Sequence, residues 1–337
     1  MNLIVDLKEN SYPITIQRDS LYHITDTIHV NRKIAIIADS GVPDKWIQIV
    51  KNQCPNAFVL RFDQGEQSKN IETYTHLLNG CIQHEMTRKD AIIAIGGGVT
   101  GDIAGFVAAS YMRGIDFYNI PTTILSQVDS SVGGKVAIDM GGYKNIVGAF
   151  WQPKAVIIDN NVLSTLSIRH QHNGLVEALK MGLILEEGLV EEFEKDTLDI
   201  DTIVYRSIDL KRQIVEQDEK ESGLRKILNF GHTIGHAIEG AYGLESYLHG
   251  ECVAMGMLFF IEDEMLKQRV MNIYKKLNLP TIPDYDVDTL MRFITHDKKS
   301  EAKTVAIIKV KKAGSYEIID MTYDEIHKVL ERGIYEK

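Results

Sequence analysis

The chain has 337 residues, 44% of them hydrophobic and 25% charged, with a formal net charge of −10. Its length predicts two domains, its composition is that of a soluble globular protein, and its acidic balance excludes a general nucleic-acid binder. Three scattered cysteines, Cys54, Cys81 and Cys252, exclude a disulfide framework and a cysteine-built metal site. The stretch Met1 to Asp6 has no basic or long apolar leader character. No apolar run reaches the ~18 residues of a membrane helix. The expectation is a cytoplasmic protein with no membrane partner.

Strand-like and helix-like stretches alternate through the first half. Ile34 to Ala38 reads as a buried strand, followed by a helix from Pro43 to Val50, with proline suited to the first turn. Ala57 to Phe62 reads as a strand and Ile71 to His84 as a helix. Ala91 to Ile95 is the clearest strand and leads through a glycine loop into a small-residue helix, Ile103 to Ser110. Phe117 to Ile120 and Ala155 to Ile158 are the later strands. This alternation predicts a mostly parallel sheet with helices on both faces.

The loop matches G-x-G-x-x-G at Gly96, Gly98 and Gly101, between a strand and a helix. Backbone amides at such a helix start can bind pyrophosphate, and glycine allows close approach. The ordinary fingerprint lies in the first βαβ unit, with its acid about 20 residues later; here the loop follows the third major strand. A ribose-binding acid would come from an earlier strand end, Asp39 or the loop Gly65 to Lys69. The sequence from Asp129 to Val136 is no P-loop, because Asp129 stands where glycine is needed and Val136 where Ser or Thr is needed. Lys135, Lys144 and Arg113 remain as cations near the cofactor end of the sheet.

Past Asp159, helical periodicity dominates to about residue 279, so the domain boundary is expected near residue 160. Asn173 to Gly182 reads as a helix with Glu177 and Lys180 three apart on one face. The apolar neighbours of Glu177 also allow it a role as a metal ligand. Lys211 to Gly223 reads as a solvated, highly charged helix. Gly231 to Glu239 reads as a buried helix that carries His232 and His236 on one face, four residues apart. Gly231 and Gly235 thin that face for a close neighbour. His249 follows 17 residues after His232. Three imidazoles this close suit a zinc site with three protein ligands and an open position, but spacing alone does not decide whether His236 or His249 pairs with His232. Gly256 to Lys276 reads as one amphipathic helix and Leu279 to Pro283 as a linker. Val305 to Val310 and Tyr316 to Ile319 read as a late hairpin, with lysines 303, 309, 311 and 312 as solvated edge charge.

Many motifs of the chain occur together in one family. They are Gly65-Glu66-Gln67-Ser68-Lys69, Gly96 to Asp102, Tyr111-Met112-Arg113-Gly114, Pro121-Thr122-Thr123, Gln127 to Lys135, Gly148-Ala149-Phe150 with Gln152-Pro153, Gly223-Leu224-Arg225, Asn229-Phe230-Gly231-His232, His249-Gly250-Glu251 and Asp297-Lys298-Lys299. On these, from about Asp39 to Lys299, the chain resembles the 3-dehydroquinate synthase family of sugar-phosphate cyclases. The resemblance implies an α/β dinucleotide-binding domain with a mostly parallel sheet over residues 1–160, a mainly α-helical metal- and substrate-binding domain over 161–337, a cleft between them and a homodimer. It implies NAD and a divalent cation, Zn2+ or Co2+, as cofactors.

By motif match the metal ligands fall on Glu177, His232 and His249. The matched substrate and catalytic positions are Arg113, Asp129, Lys135, Asn145, Lys180, Lys211, Arg225, Asn229, His236 and one of Lys298 or Lys299. Cofactor contacts fall on Asp39, Gly65, Glu66, Lys69, Gly97, Gly98, Val99, Gly101, Asp102, Thr122, Thr123, Lys135, Lys144 and Thr165. The implied substrate is a phosphorylated seven-carbon keto acid, 3-deoxy-D-arabino-heptulosonate 7-phosphate, and the products are 3-dehydroquinate and phosphate, a step of the shikimate pathway to aromatic amino acids. The segment Arg169 to Gly174 departs from the family, which usually has an acidic residue and a serine there. The tail after Lys299 lacks the usual glycine-rich stretch. A metal-dependent polyol dehydrogenase of the glycerol type and an inosose-forming cyclase are the alternative readings.

Overall fold

β-Branched runs in the first half form a mostly parallel sheet in the computed structural model, which describes residues 1–243, 246–280, 282, 284–296 and 304–334. The elements in order are β1 (Asn2–Val5), β2 (Tyr12–Ile16), β3 (Lys33–Asp39), α1 (Asp44–Lys51), β4 (Asn56–Phe62), α2 (Ile71–Gln83), β5 (Ala91–Gly96), α3 (Gly98–Ser110), β6 (Asp116–Pro121), β7 (Lys135–Met140), β8 (Tyr143–Phe150) and β9 (Ala155–Ile158). Three helices follow: α4 (Ile168–Leu185), α5 (Glu187–Glu194) and α6 (Ile200–Gln217). The chain forms two compact units, Met1–Ser167 with Ile200–Lys220, and Ile168–Asp199 with Glu221–Lys337.

In the first unit the strand order is β1-β2-β9-β6-β5-β3-β4. Only the β1–β2 pair is antiparallel; the other neighbours run parallel. Ile34 to Ala38 and Ala91 to Gly96 are buried throughout, which is why they read as continuous apolar runs: helices cover both faces of a parallel sheet. Ala35, Ile37, Ile92 and Ala94 pack with Leu77 and Cys81 of α2 and with Ile103 and Val107 of α3. The register Ile34↔Ala91 to Ile37↔Ala94 aligns β3 with β5. From β3 the chain passes through α1 to β4 on one side, and through α2 to β5 on the other. The carboxyl ends of β3 and β5 therefore flank the switch point where such sheets bind ligands.

Three features of this unit differ from the sequence reading. The strands β1, at one edge of the sheet, and β2 beside it were not expected, nor was the hairpin β7–β8. That hairpin turns at Gly141 and Gly142, with φ of 61° and 82°, values only glycine adopts at little cost. Helix α3 begins at Gly98 rather than Ile103, so the glycine motif is itself the first turn. A single boundary near residue 160 does not divide the chain, because α6 belongs with the first unit. Its buried face, which includes Ile203, Val204 and Ile208, packs on β1 and on the turn Ser126–Ser130. Lys211 on α6 is 4% exposed rather than solvated.

The second unit continues with α7 (His232–Tyr242), α8 (His249–Leu258), α9 (Glu264–Lys276), α10 (Val287–His296), β10 (Thr304–Lys309), β11 (Glu317–Thr322) and α11 (Tyr323–Arg332). Strands β10 and β11 form an antiparallel hairpin. The stretch expected as one helix from Gly256 to Lys276 is two. Phe260 and Ile261 between them are buried, and the backbone there pairs with Val310, through Glu262 N–H to Val310 O at 2.9 Å and Val310 N–H to Phe260 O at 3.0 Å. Asp263 then caps α9 by accepting from Leu266 N–H at 2.7 Å. Thr281 and Pro283 of the expected linker lie outside the described residues, as does Lys303. Among the described residues no helix is long and apolar enough to cross a membrane.

Helices α7 and α8 meet through glycine. A Cβ at Gly256 would stand 2.0 Å from Gly231 O and 2.7 Å from Gly235 N, and one at Gly235 would stand 3.0 Å from Cys252 O. These neighbours are backbone and cannot swing away. Gly256→Ala is therefore expected to destabilise the protein by about 1–3 kcal/mol, the range for overpacking a core. Urea unfolding of wild type and variant checks this; an unchanged midpoint would mean that α7 and α8 separate freely.

Candidate functional site

Helix α4 buries every residue from Asn173 to Ile184, so its two charged members must find partners inside. Glu177 is 1% exposed and Lys180 2%. Lys180 Nζ donates to Glu177 Oε2. The other carboxylate oxygen, Glu177 Oε1, is buried and has no hydrogen-bond partner among the described residues. It lies 3.5 Å from His249 Nε2 and 3.7 Å from His232 Nε2. Ligand atoms ~2.0–2.1 Å from a tetrahedral cation stand roughly 3.3 Å apart, so this spacing could hold a small divalent ion.

The two imidazoles point their Nε2 atoms there for a local reason. His232 Nδ1 lies 3.1 Å from Phe230 O, and His249 Nδ1 lies 3.1 Å from Glu239 Oε2. A carbonyl and a carboxylate can only accept, so each Nδ1 carries a proton and donates it, and Nε2 is the nitrogen that holds a lone pair whenever the ring is neutral. His236 shares the helix face of His232. Its ring lies 5.2 Å from that of His232 and 5.8 Å from that of His249. His232, His236 and His249 can each place a nitrogen within 4.8 Å of the others. Two overlapping ligand sets thus exist: Glu177 with His232 and His249, and the three histidines. His236 is the exposed member, whereas His232 and His249 are half-buried.

The titration behaviour follows from these contacts. Burial, reinforced by Lys180, pushes His232 down to about 3. Burial opposes charge on Glu177, but Lys180, His232 and His249 outweigh it and hold the carboxyl well below its ordinary range. Burial also opposes charge on His249, yet the Glu177 and Glu239 carboxylates raise it to about 9.

The segment Arg169 to Gly174 anchors α8. Arg169 Nε and Nη2 donate to the two oxygens of Glu251 at 2.8 Å each, and Glu251 Oε2 also accepts from Leu248 N–H at 2.9 Å. Asn173 Oδ1 accepts from Gly250 N–H at 2.7 Å. The helix that supplies Glu177 therefore fixes the first turn of the helix that supplies His249. Arg225 and Asn229 lie in a 3₁₀ turn, Leu224–Asn229, and Gly231 at φ 78° starts α7 afresh. Arg225 is thus not on the helix of His232; it is 3% exposed. Asn229 Nδ2 donates to Glu221 Oε1 at 3.2 Å.

In the first unit, the loop Gly96–Gly98 ends β5, and Gly97 is the residue before α3. A Cβ at Gly97 would meet Thr123 at 3.2 Å and one at Gly98 would meet Ser130 at 3.1 Å. A Cβ at Gly101 would meet Asn119 Nδ2 at 3.1 Å, so glycine there serves helix–strand packing, while Val99 packs against the core. Asp39, at the end of β3, accepts from Thr100 Oγ1 at 2.6 Å. Thr122 N–H donates to Gly96 O at 2.8 Å, and Thr123 Oγ1 pairs with Ser126 Oγ at 2.9 Å. Thr165 Oγ1 accepts from Trp46 Nε1 at 3.0 Å. Gly65 adopts φ 108°, and Glu66 lies 3.9 Å from Lys69 Nζ.

Lys69 is 4% exposed and donates to Asp102 Oδ2 at 2.6 Å and to Asn145 Oδ1 at 2.5 Å. Burial raises the Asp102 carboxyl, with Lys69 opposing. Lys211 Nζ donates to Asp129 Oδ1 and O, both at 2.6 Å. Lys135, Lys144 and Arg113 are exposed. Lys298 and Lys299 lie outside the described residues. Sequence reasoning did not identify Arg169, Asn173, Glu239 or Glu251 as supports. Glu239 had a visible signal, since it stands seven residues, two helical turns, after His232.

The 3-dehydroquinate synthase N-terminal family model matches residues 59–173, and the 3-dehydroquinate synthase C-terminal model matches residues 174–300. The chain is 41% identical over 355 aligned positions to a 3-dehydroquinate synthase of Thermoanaerobacter pseudethanolicus, which covers 97% of this chain and 99% of the relative. A 2-deoxy-scyllo-inosose synthase solved with carbaglucose-6-phosphate, NAD+ and Co2+ superposes with a TM-score of 0.87 at 26% identity, covering 99% and 100% of the two chains. The 2-epi-5-epi-valiolone synthase ValA of Streptomyces hygroscopicus, solved with NAD+ and Zn2+, gives 0.87 at 24% identity over 97% of each chain and shares the fold. The adjoining matches, which together run unbroken from residue 59 to 300, and the whole-length identity make this chain a member of the 3-dehydroquinate synthase family.

Proposed function

We propose that the chain is a carbon–oxygen lyase that converts 3-deoxy-D-arabino-heptulosonate 7-phosphate to 3-dehydroquinate and phosphate. Family membership supports the reaction, and the observation that carries the site is Glu177 Oε1, a buried acceptor with two imidazole Nε2 atoms beside it. Glu177, His232 and His249 would hold a divalent cation, Zn2+ or Co2+, which when bound supplies Lewis acidity to the substrate's hydroxyl and carbonyl oxygens. NAD, when bound, supplies a reversible hydride acceptor at C5. With C5 at the ketone level the C6 proton is acidic and phosphate can leave by β-elimination, the leaving phosphate itself taking that proton. Reduction at C5, ring opening and an intramolecular aldol complete the carbocycle with no net oxidation.

The chain's own groups fit these needs. Lys180 occupies one oxygen of Glu177 and keeps it ionised, which leaves Oε1 for the cation. The amides at the start of α3 suit a pyrophosphate, and Asp39 suits a ribose hydroxyl. Lys69 holds the Asn145 carbonyl oxygen and so leaves the Asn145 Nδ2 as a donor for the substrate phosphate, which Lys135 and Arg113 would also serve. Arg225 suits the substrate carboxylate as a bidentate partner, with Asn229 near it in the same turn. Lys211 holds Asp129 in one orientation for proton transfer. His236 is the imidazole left to face substrate.

Incubation with the heptulosonate phosphate, NAD+ and Zn2+ should release phosphate without accumulating NADH. Net NADH would instead identify a polyol dehydrogenase, and turnover of a hexose phosphate alone an inosose-forming cyclase.

Glu177→Gln should lose the metal through gel filtration, since one lost ligand of three leaves little affinity, whereas His236→Ala should retain it. The reverse pattern would assign the three histidines as the ligand set. Metal binding should also release close to one proton at pH 7, because His249, raised to about 9, must become neutral to coordinate. Apparent affinity should therefore climb by about tenfold per pH unit below that value and level off above it. The sign is reversed for the metal-free fold. The stability that protonated His249 contributes is complete below its ordinary range and is lost as pH rises through about 9. Calorimetry in two buffers of different ionisation enthalpy measures the proton count; a count near zero would mean that His249 is already neutral.

A further inference from the structure

We propose that Glu239 is a positioning residue that fixes the tautomer and orientation of His249 and strengthens it as a ligand; this rests on the cation site proposed above. Glu239 is 7% exposed and comes from α7, whereas His249 opens α8. Its Oε2 accepts from His249 Nδ1 at 3.1 Å. The opposite ring atom, Nε2, is the one that lies 3.5 Å from Glu177 Oε1. A carboxylate accepts and cannot donate, so it excludes the tautomer with its lone pair on Nδ1. It also places negative charge behind the ring, which makes Nε2 a better donor to a cation.

The two imidazoles are held differently. His232 is oriented by the Phe230 carbonyl, part of the backbone and indifferent to substitution. His249 is oriented by a side chain, and it is the more exposed of the two, at 29% against 14%. Its geometry therefore depends on Glu239. The sequence places this carboxylate on the face of α7 that also carries His232 and His236, at positions 232, 236 and 239. One helix thus supplies a ligand and the group that orients a ligand on its neighbour.

The test uses the full chain, stripped of metal and reloaded with Zn2+ or Co2+. Glu239→Gln keeps an oxygen acceptor and removes the charge; Glu239→Leu removes both. Affinity is read by chelator competition, site geometry by the Co2+ absorption bands, and folding by thermal melting of the metal-free proteins. We expect Glu239→Gln to weaken metal binding about 10-fold, and Glu239→Leu more, within the 10–100-fold range of outer-shell partners. The Co2+ bands should shift in both, and metal-free Glu239→Gln should still melt in one cooperative transition, lowered at neutral pH and closer to wild type above pH 9, where the His249 proton is gone. Wild-type affinity and bands in both variants, beside a His249→Ala protein that has lost the metal, would overturn the role of Glu239 and leave the cation site standing. A His249→Ala protein that keeps wild-type affinity would overturn the cation site itself, and Glu239 with it.

Discussion

A carboxylate that is almost wholly removed from water is stable as an anion only if its surroundings replace the lost hydration. Glu177 meets that condition by half. Lys180, one turn along the same helix, takes Oε2 and remains inside with it, while Oε1 has no hydrogen-bond partner among the described residues and lies beside two imidazole nitrogens. The placement of those nitrogens follows from helix geometry and close packing. Gly231, Gly235 and Gly256 let α7 and α8 approach at backbone distance. Arg169 and Asn173 fix the first turn of α8 to the helix of Glu177 itself. Loosening any of these contacts moves His249 relative to Oε1, so the packing of the second unit and the chemistry of its site are one constraint.

The parts of the fold that were legible in the sequence are those where burial and periodicity agree. Ala91 to Ile95 and Ile34 to Ala38 are apolar on both faces because both faces are covered, and they read as strands without ambiguity. The elements that escaped notice lack that agreement. Tyr12 to Ile16 alternates around Pro13, and β8 is mostly exposed, so neither offers a continuous apolar run. The Gly141-Gly142 pair is a two-residue hairpin signal, but its exposed second strand gives it no apolar run to connect. The break between α8 and α9 is made by pairing with Val310, about fifty residues further on, and local periodicity carries no information about such a partner. Lys211 looked solvated because its helix is highly charged; an ion pair with the distant Asp129 accompanies its burial.

The site was legible in kind but not in detail. Spacing brought His232 and His236 to one face and marked His249 as a companion, as the ring distances bear out. It could not rank the two possible ligand sets, because that depends on what lies behind each ring. Phe230 O and Glu239 Oε2, the acceptors at Nδ1, turn Nε2 of His232 and His249 toward Glu177, and one of them is a backbone atom that no motif records. Arg225 and His232 belong to separate elements, because Gly231, in a left-handed conformation, starts the helix of His232 afresh.

Charge arithmetic connects this pocket to the kind of molecule it serves. Glu177 and Glu239 contribute two negative charges, Lys180 one positive charge, and neutral His232 and His249 none, so the group stands at −1. Without a cation, a proton on His249 restores neutrality, which is why that ring is raised while its equally enclosed neighbour His232 is lowered. A divalent ion in place of that proton brings the group to +1. The chain as a whole carries −10 and repels anions at long range. At short range, however, a divalent ion held by this group would leave it net positive, and a positive group in a partly desolvated site attracts anions more than neutral molecules. A proton on His249 and a divalent ion bound in its place would exclude each other, the first leaving the group neutral and the second leaving it at +1.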